Sequence, residues 1–269
     1  KIKTKGFALE VLYQVLKRIA PRVAPGVMRL RTQWVATAAT RYAHKHEIDV
    51  VVAQSTSAAR VFEGRRGKST LVLMQPILDA VNLRKILSDE ARKNPKWAFA
   101  IPELGKENTL EELEIKTANL IVVGSDFVAE NLQARTPAKV FTSTYGVALP
   151  DTATLQREKR SDARLHILFV GQVNQRKGIG YILDALKEFE TPYHFKIVGD
   201  NQFNLTSTES TIGINEFVGS VSKAELEKIY RWADVLVLPS LAEGLSLAIL
   251  EAMAQGVPCI VTPNTGAAG

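Results

Sequence analysis

Two glutamates eight positions apart, Glu243 and Glu251, lie on either side of a helix start in the run Val237-Leu238-Pro239-Ser240-Leu241-Ala242-Glu243-Gly244-Leu245-Ser246-Leu247-Ala248-Ile249-Leu250-Glu251-Ala252-Met253-Ala254-Gln255-Gly256-Val257-Pro258. The pattern predicts a buried strand ending at Pro239, a short loop holding Glu243 and Gly244, and a helix beginning near Leu245. Free backbone N–H groups at a helix start, with a glycine that lets a ligand come close, form a natural diphosphate site. With ~1.5 Å of rise per residue, Glu251 stands ~8 Å along the helix from that end. One carboxylate can then reach a sugar on one side of a diphosphate, and the other a ribose on the far side. The same residues also suit plainer roles, Glu243 as a partner of the helix dipole and Glu251 as a solvated face residue.

Other candidate chemistry falls away on spacing. Gly67-Lys68-Ser69 imitates the end of a phosphate-binding P-loop, but Phe62 stands where the motif needs a glycine, and Ser69 to Met74 continues as a strand rather than opening a helix. No G-x-G-x-x-G occurs: after the strand Ile167 to Val170 the chain runs Gly171-Gln172-Val173-Asn174-Gln175-Arg176-Lys177-Gly178, which argues against a dinucleotide enzyme. His44 and His46 sit two apart, on different faces of one expected helix, with no third ligand near in sequence. No Asp-x-Asp pair is present, so a metal-diphosphate clamp of that kind is missing. The one cysteine, Cys259, lies in an apolar setting and reads as a buried strand thiol of a reducing compartment.

The elements that must position these residues follow a parallel α/β pattern, with short β-rich runs alternating with helical ones. Strands are expected at Asp49 to Ala53, Thr70 to Met74, Leu120 to Gly124, Val140 to Thr144, His166 to Gly171, His194 to Gly199, Asn215 to Gly219, Asp234 to Ser240 and Pro258 to Thr262. Most are continuous apolar runs, as strands covered on both faces should be. Helices are expected over Phe7 to Ile19, Gly178 to Phe189 and Ser222 to Trp232, the last with Ser222 and Glu225 as a capping box. The polar stretch from Pro150 to Asp162 reads as a seam. It divides the chain into an N-terminal domain, 1–150, a linker, 151–160, and a C-terminal domain, 161–269. At 269 residues, 46% hydrophobic and 23% charged, the chain is long and apolar enough for two modest cores.

The run from Val237 to Pro258 closely resembles the signature of retaining GT-B glycosyltransferases of family GT4. In that signature two glutamates eight positions apart follow a Pro-Ser strand end and precede Glu-Ala-Met-Ala-x-Gly-x-Pro. Phe169 to Gly178 looks like the family's first βα loop of the donor domain, and Val218-Gly219 with Leu226 to Leu238 resembles its later βαβ portion. Leu113 to Leu132 and Tyr145-Gly146-Val147 also match. The resemblance covers most of 110–269, and 1–109 match only loosely.

The resemblance implies an α/β fold of two Rossmann-like domains of GT-B type, an acceptor-side domain first and a nucleotide-sugar donor domain second, here incomplete at both ends. It implies a hexosyltransferase that moves a sugar from a nucleotide diphosphate sugar, UDP- or GDP-linked, with retention of configuration and with neither metal nor cofactor. By it Lys177 meets the donor diphosphate, Glu243 the transferred sugar and Glu251 the nucleotide ribose, with Lys177 and Glu243 as the catalytic pair. Gly171, Arg176, Gly244, Leu245 and Ser246 complete the donor-binding set. A cation at Lys177 suits the role, since it can neutralise charge developing on a departing nucleotide. Two departures stand out: Gln172 occupies a place where many members carry Arg, and Gln75-Pro76 stands where many have a histidine. Arg176 is the candidate for the second positive charge.

Charge is unevenly placed. Residues 1–46 carry ten Lys or Arg against the single acid Glu10, a local charge of +9, whereas 151–269 carry eleven basic and fourteen acidic residues. Such a basic patch suits an anionic membrane surface, a phosphorylated acceptor, or no partner at all, and nothing accompanies it that points to nucleic acid. The expectation is a cytoplasmic protein, peripheral on the inner face of the plasma membrane, with a lipid-linked or glycan acceptor. The alternative is a non-catalytic GT-B partner or regulatory subunit that binds nucleotide without turnover. A sugar-nucleotide epimerase would need first-domain acid/base groups that are not found as a set.

Overall fold

The computed structural model describes residues 13–15, 19, 24–98, 106–150, 163–209 and 213–267. These residues fall into two compact units. The first lies within Lys1–Pro76, Leu104–Val122 and Gln133–Phe141, and the second within Ile77–Glu103, Val123–Leu132 and Thr142–Gly269.

A four-stranded sheet belongs largely to the first unit, in the order β1-β2-β3-β4: β1 Val50–Gln54, β2 Thr70–Gln75, β3 Leu120–Val123 and β4 Lys139–Thr142. Strand β2 is buried along Leu71, Val72 and Leu73, as its apolar run requires. The valines of β1 differ from expectation: Val50 and Val52 are exposed, because β1 is an edge strand and its side chains alternate between faces. Helix α1 (Ala24–Lys45) packs on α2 (Ala59–Arg65), and α4 (Lys106–Thr117) supplies a buried carboxylate to the start of α2. Glu114 of α4 accepts hydrogen bonds from the N–H groups of Thr56, Ala58 and Ala59 at 2.7 to 2.9 Å, and burial raises its pKa against the pull of those donors. The expected helix over Phe7 to Ile19 falls almost wholly outside the described residues, as does the linker 151–160. His46 lies just past the end of α1 rather than within it.

The second unit is built on a six-stranded sheet, order β10-β9-β5-β6-β8-β7. Its strands are β5 Leu165–Val170, β6 Tyr193–Val198, β7 Thr208–Glu209, β8 Gly213–Gly219, β9 Val235–Leu238 and β10 Cys259–Val261. All neighbouring pairs are parallel except β7 with β8. Helices α3 (Ala80–Lys93), α5 (Asp126–Gln133), α6 (Ile179–Ala185), α7 (Lys223–Trp232) and α8 (Leu247–Ala254) count largely with this unit. Leu168, Phe169, Phe195, Leu236, Leu238 and Ile249 are among its fully buried core; β5 is buried on both faces, whereas β6 and β9 alternate buried with half-buried side chains. The α7 capping box forms as its sequence predicts, with Ser222 accepting from Glu225 N and Glu225 reaching back to Ser222 N.

The strand order places the site. From β5 the chain winds outward through β6 to β8, then returns to lay β9 on the other side of β5. Neighbouring parallel strands whose connections leave in opposite directions open a crevice at their carboxyl ends, where ligands of open α/β sheets bind. The loop after β5 carries Arg176 and Lys177. The loop after β9 carries Glu243.

Candidate active site

Gln175–Lys177 form a 3-10 turn after β5, capped by Asn174, whose Oδ1 accepts from Lys177 N at 3.1 Å. Gly178 ends the turn in the left-handed region, φ 71°, and opens α6. A side chain cannot be placed there: a Cβ on Gly178 would meet Pro239 O at 2.0 Å. The turn is therefore in backbone contact with the end of β9, and Leu241 N donates to Arg176 O at 2.8 Å.

On the facing loop, Glu243 N donates to Asn264 O at 2.9 Å and Ser246 N to Thr265 O at 3.3 Å, while Ser125 Oγ donates to Gly244 O. These bonds hold residues 241–246 in an irregular path, so the helix begins at Leu247, with Ser246 at its N-cap, and not near Leu245. Leu245 and Ser246 are consequently buried loop residues. Glu251 is the fifth residue of the helix, ~6 Å along its axis at the standard rise. The first helical N–H groups, at Leu247 and Ala248, have no intrahelical partner, as at any helix start.

Arg176 and Lys177, adjacent in sequence, both point at the same oxygen. Glu243 Oε1 lies 2.8 Å from Lys177 Nζ and 2.6 Å from Arg176 Nη1, which also donates to Ala242 O at 3.0 Å. Lys177 and Glu243 are buried, at 9% and 7% exposure, so their attraction acts with little solvent screening. Burial pulls the Lys177 pKa below the ordinary lysine value, the Glu243 carboxylate opposes that fall, and Arg176 adds to it. Gly171, φ 152°, leaves room for the lysine: a Cβ there would press on Lys177 Cε at 3.2 Å. Gln172 is exposed.

Glu251 is half-buried in the wall of a cavity of about 410 Å³ that Lys223, Glu227, Tyr230, Arg231 and Gln255 also line. Its Oε2 accepts from Tyr230 Oη at 3.0 Å. The structure thus gathers Gly171, Arg176, Lys177, Glu243 and Gly244 at one place and sets Glu251 on the adjoining helix. Asn174, Ser125, Asn264, Thr265 and Tyr230 escape sequence reasoning. Of these only Asn174, an asparagine just before a turn, carries a local signal.

The remaining candidates take structural roles. Gln75, at the end of β2, is buried and donates from Nε2 to Glu111 Oε1 at 3.0 Å. Gly67, φ 71°, turns the chain into β2 rather than into a helix, as the failed P-loop spacing requires. Cys259 is half-buried on β10 and burial pushes its thiol up to about 11, so it is a poor nucleophile. Among the described residues no group of three His, Cys, Asp or Glu is placed to hold a metal ion, and no helix is long and apolar enough to cross a membrane.

The second unit is a parallel sheet with a cationic turn and a carboxylate loop at its switch point, and comparison with known proteins shows what it resembles. Residues 164–269 match the family model of glycosyl transferases group 1. It is 36% identical over 107 residues to an uncharacterised glycosyltransferase of Methanocaldococcus jannaschii, an alignment spanning 37% of this chain and 27% of that protein. Sucrose-phosphate synthase from Thermosynechococcus elongatus superposes with a TM-score of 0.62 at 18% identity, covering 86% of this chain and 60% of its own. The Anabaena protein HepE, solved with UDP and glucose, superposes with a TM-score of 0.57 at 17% identity, covering 95% and 66%. The fold is that of GT-B glycosyltransferases. The chain spans roughly a quarter to a third of the length of the curated relatives it matches.

Proposed function

We propose that the chain carries the donor site of a hexosyltransferase that moves a sugar from a nucleotide diphosphate sugar to an acceptor, with retention of configuration and without a metal. The observation that carries this reading is the convergence of Lys177 and Arg176 on Glu243 Oε1. Two cations and one carboxylate leave a net positive charge in a buried crevice, which suits a diphosphate. When the diphosphate binds, Lys177 and Arg176 turn their charge to its oxygens, and Glu243 is freed to accept from a hydroxyl of the sugar. As the sugar–oxygen bond breaks, Lys177 stabilises the negative charge growing on the departing nucleotide. Glu251 holds the ribose in the adjoining cavity. Complexes of the structural neighbour HepE with UDP-glucose and with UDP support UDP as the first nucleotide to test.

Since the positive charge comes from side chains, nucleotide diphosphate binding to the full chain is expected to survive excess EDTA. Calorimetric titration measures it, and binding abolished by the chelator would contradict the metal-free reading.

The basic N-terminal segment supports a second expectation, weak adsorption to an anionic membrane that presents a lipid-linked acceptor. Helix α1 buries Val27, Ala36 and Ala43 and leaves Leu30, Trp34, Val35 and Tyr42 exposed beside Arg41 and Lys45, and Val15 and Ile19 are exposed too. Each basic residue near such a surface contributes ~1 kcal/mol within a Debye length. Co-sedimentation with vesicles should rise with anionic lipid and fall with salt. Equal sedimentation with neutral and anionic vesicles, or none with either, removes the membrane.

A further inference from the structure

We propose that Tyr230 is a positioning residue of the donor site: its hydroxyl holds one oxygen of Glu251 so that the other meets the ribose hydroxyls of the nucleotide. The inference rests on the donor-site reading above and adds to it a residue that the sequence motif does not contain. Tyr230 is 1% exposed and sits at the end of α7, where its ring joins the core of the second unit. Tyr230 also lines the cavity, and its hydroxyl donates to Glu251 Oε2 at 3.0 Å.

A ring so buried has no freedom to follow the carboxylate, so the carboxylate must follow the ring. Glu251 would otherwise turn about three side-chain torsions at a half-exposed helix position. One fixed, charge-assisted donor removes much of that freedom before the ligand arrives. Among the described residues Oε1 has no protein partner. That leaves one carboxylate oxygen of a cavity-lining glutamate open to a ligand, which is what recognition of a vicinal diol needs. Burial, with the Glu251 charge adding to it, raises the Tyr230 pKa well above the usual tyrosine range, so the hydroxyl stays a donor at every working pH.

The test titrates the full chain with UDP, GDP and ADP, carries the tightest forward, and compares it with its 2′,3′-dideoxy analogue. Tyr230→Phe should raise Kd for the nucleotide by roughly five- to tenfold, a part of the worth of one hydrogen bond to a charged group because it acts through Glu251, and leave the dideoxy analogue unchanged. The unchanged analogue also shows that the variant is folded. In a Glu251→Ala background, which removes the acceptor, Tyr230→Phe should have no further effect. Should the phenylalanine variant not fold, Glu251→Ala at its half-exposed position must by itself abolish the preference for nucleotide over dideoxy analogue. Equal weakening of both ligands, no weakening of either, or full additivity with Glu251→Ala overturns the proposal. A native protein that binds a nucleotide and its dideoxy analogue equally overturns it while leaving the donor site standing. No binding of any of the three nucleotides overturns the donor site itself.

Discussion

Replacing Lys177 by alanine is expected to lower kcat by ~10² to 10³, about 3 to 4 kcal/mol of transition-state stabilisation, with a smaller effect on nucleotide-sugar affinity. The lysine sits against Glu243 at 2.8 Å in a buried crevice, where charge acts strongly on a leaving group. Its partner Arg176 reaches the same carboxylate oxygen and remains in the variant, so ground-state attraction for the diphosphate survives in part. The asymmetry between the two cations follows from their exposure: Lys177 is buried along its length and its neighbour only partly so. Steady-state kinetics separates the outcomes. A normal kcat with only a raised KM would make Lys177 a binding group and not a catalytic one.

Gly178→Ala should be the most disruptive single-methyl change in the site. The residue adopts φ 71°, which costs an L-side chain ~1 to 2 kcal/mol, and its new Cβ would meet Pro239 O at 2.0 Å. The obstacle is backbone at the end of β9, which cannot swing aside as a flexible side chain would. Relief requires the 175–178 turn to move away from the 239–241 segment, breaking the bond from Leu241 N to Arg176 O and pulling Lys177 off Glu243. The expected loss is about 3 kcal/mol or more, a fall of roughly 6 to 12 °C in Tm, together with most of the turnover. Thermal unfolding and activity at a temperature where the variant is folded measure the two effects. A variant of native Tm and native kcat would show that the turn is not held as described.

Much of this was legible because the strands are apolar runs separated by clear breaks. Each of the nine expected strands is present within a residue or two at its ends. The missed strand, β7, is two polar residues pairing antiparallel at a sheet edge, and no periodicity can announce so short a segment. The glutamate spacing and the resemblance of the first loop single out Lys177, Glu243 and Glu251 as candidates, but not where Arg176 points. A 3-10 turn separates consecutive side chains by ~120°, and only the position of Glu243 on the neighbouring strand's loop lets both cations meet it. The helix starts two residues later than its pattern suggests, because backbone bonds to Asn264 O and Thr265 O, more than fifteen residues on, hold the preceding loop in its irregular path. Tyr230 was out of reach for the same reason: it meets Glu251 across two helices, at a separation that no local pattern encodes.

The proposed reaction is cleavage of a nucleotide sugar in this crevice. The most direct measurement is release of free nucleotide by the full chain from a panel of UDP-, GDP- and ADP-sugars, with acceptor glycans and lipid-linked acceptors supplied, beside the Lys177→Ala variant. The account predicts release from at least one donor in the presence of EDTA, reduced by ~10² or more in the variant. Nucleotide that binds but is never released as product would contradict turnover and leave a binding subunit. Release that is unchanged by Lys177→Ala would contradict the site.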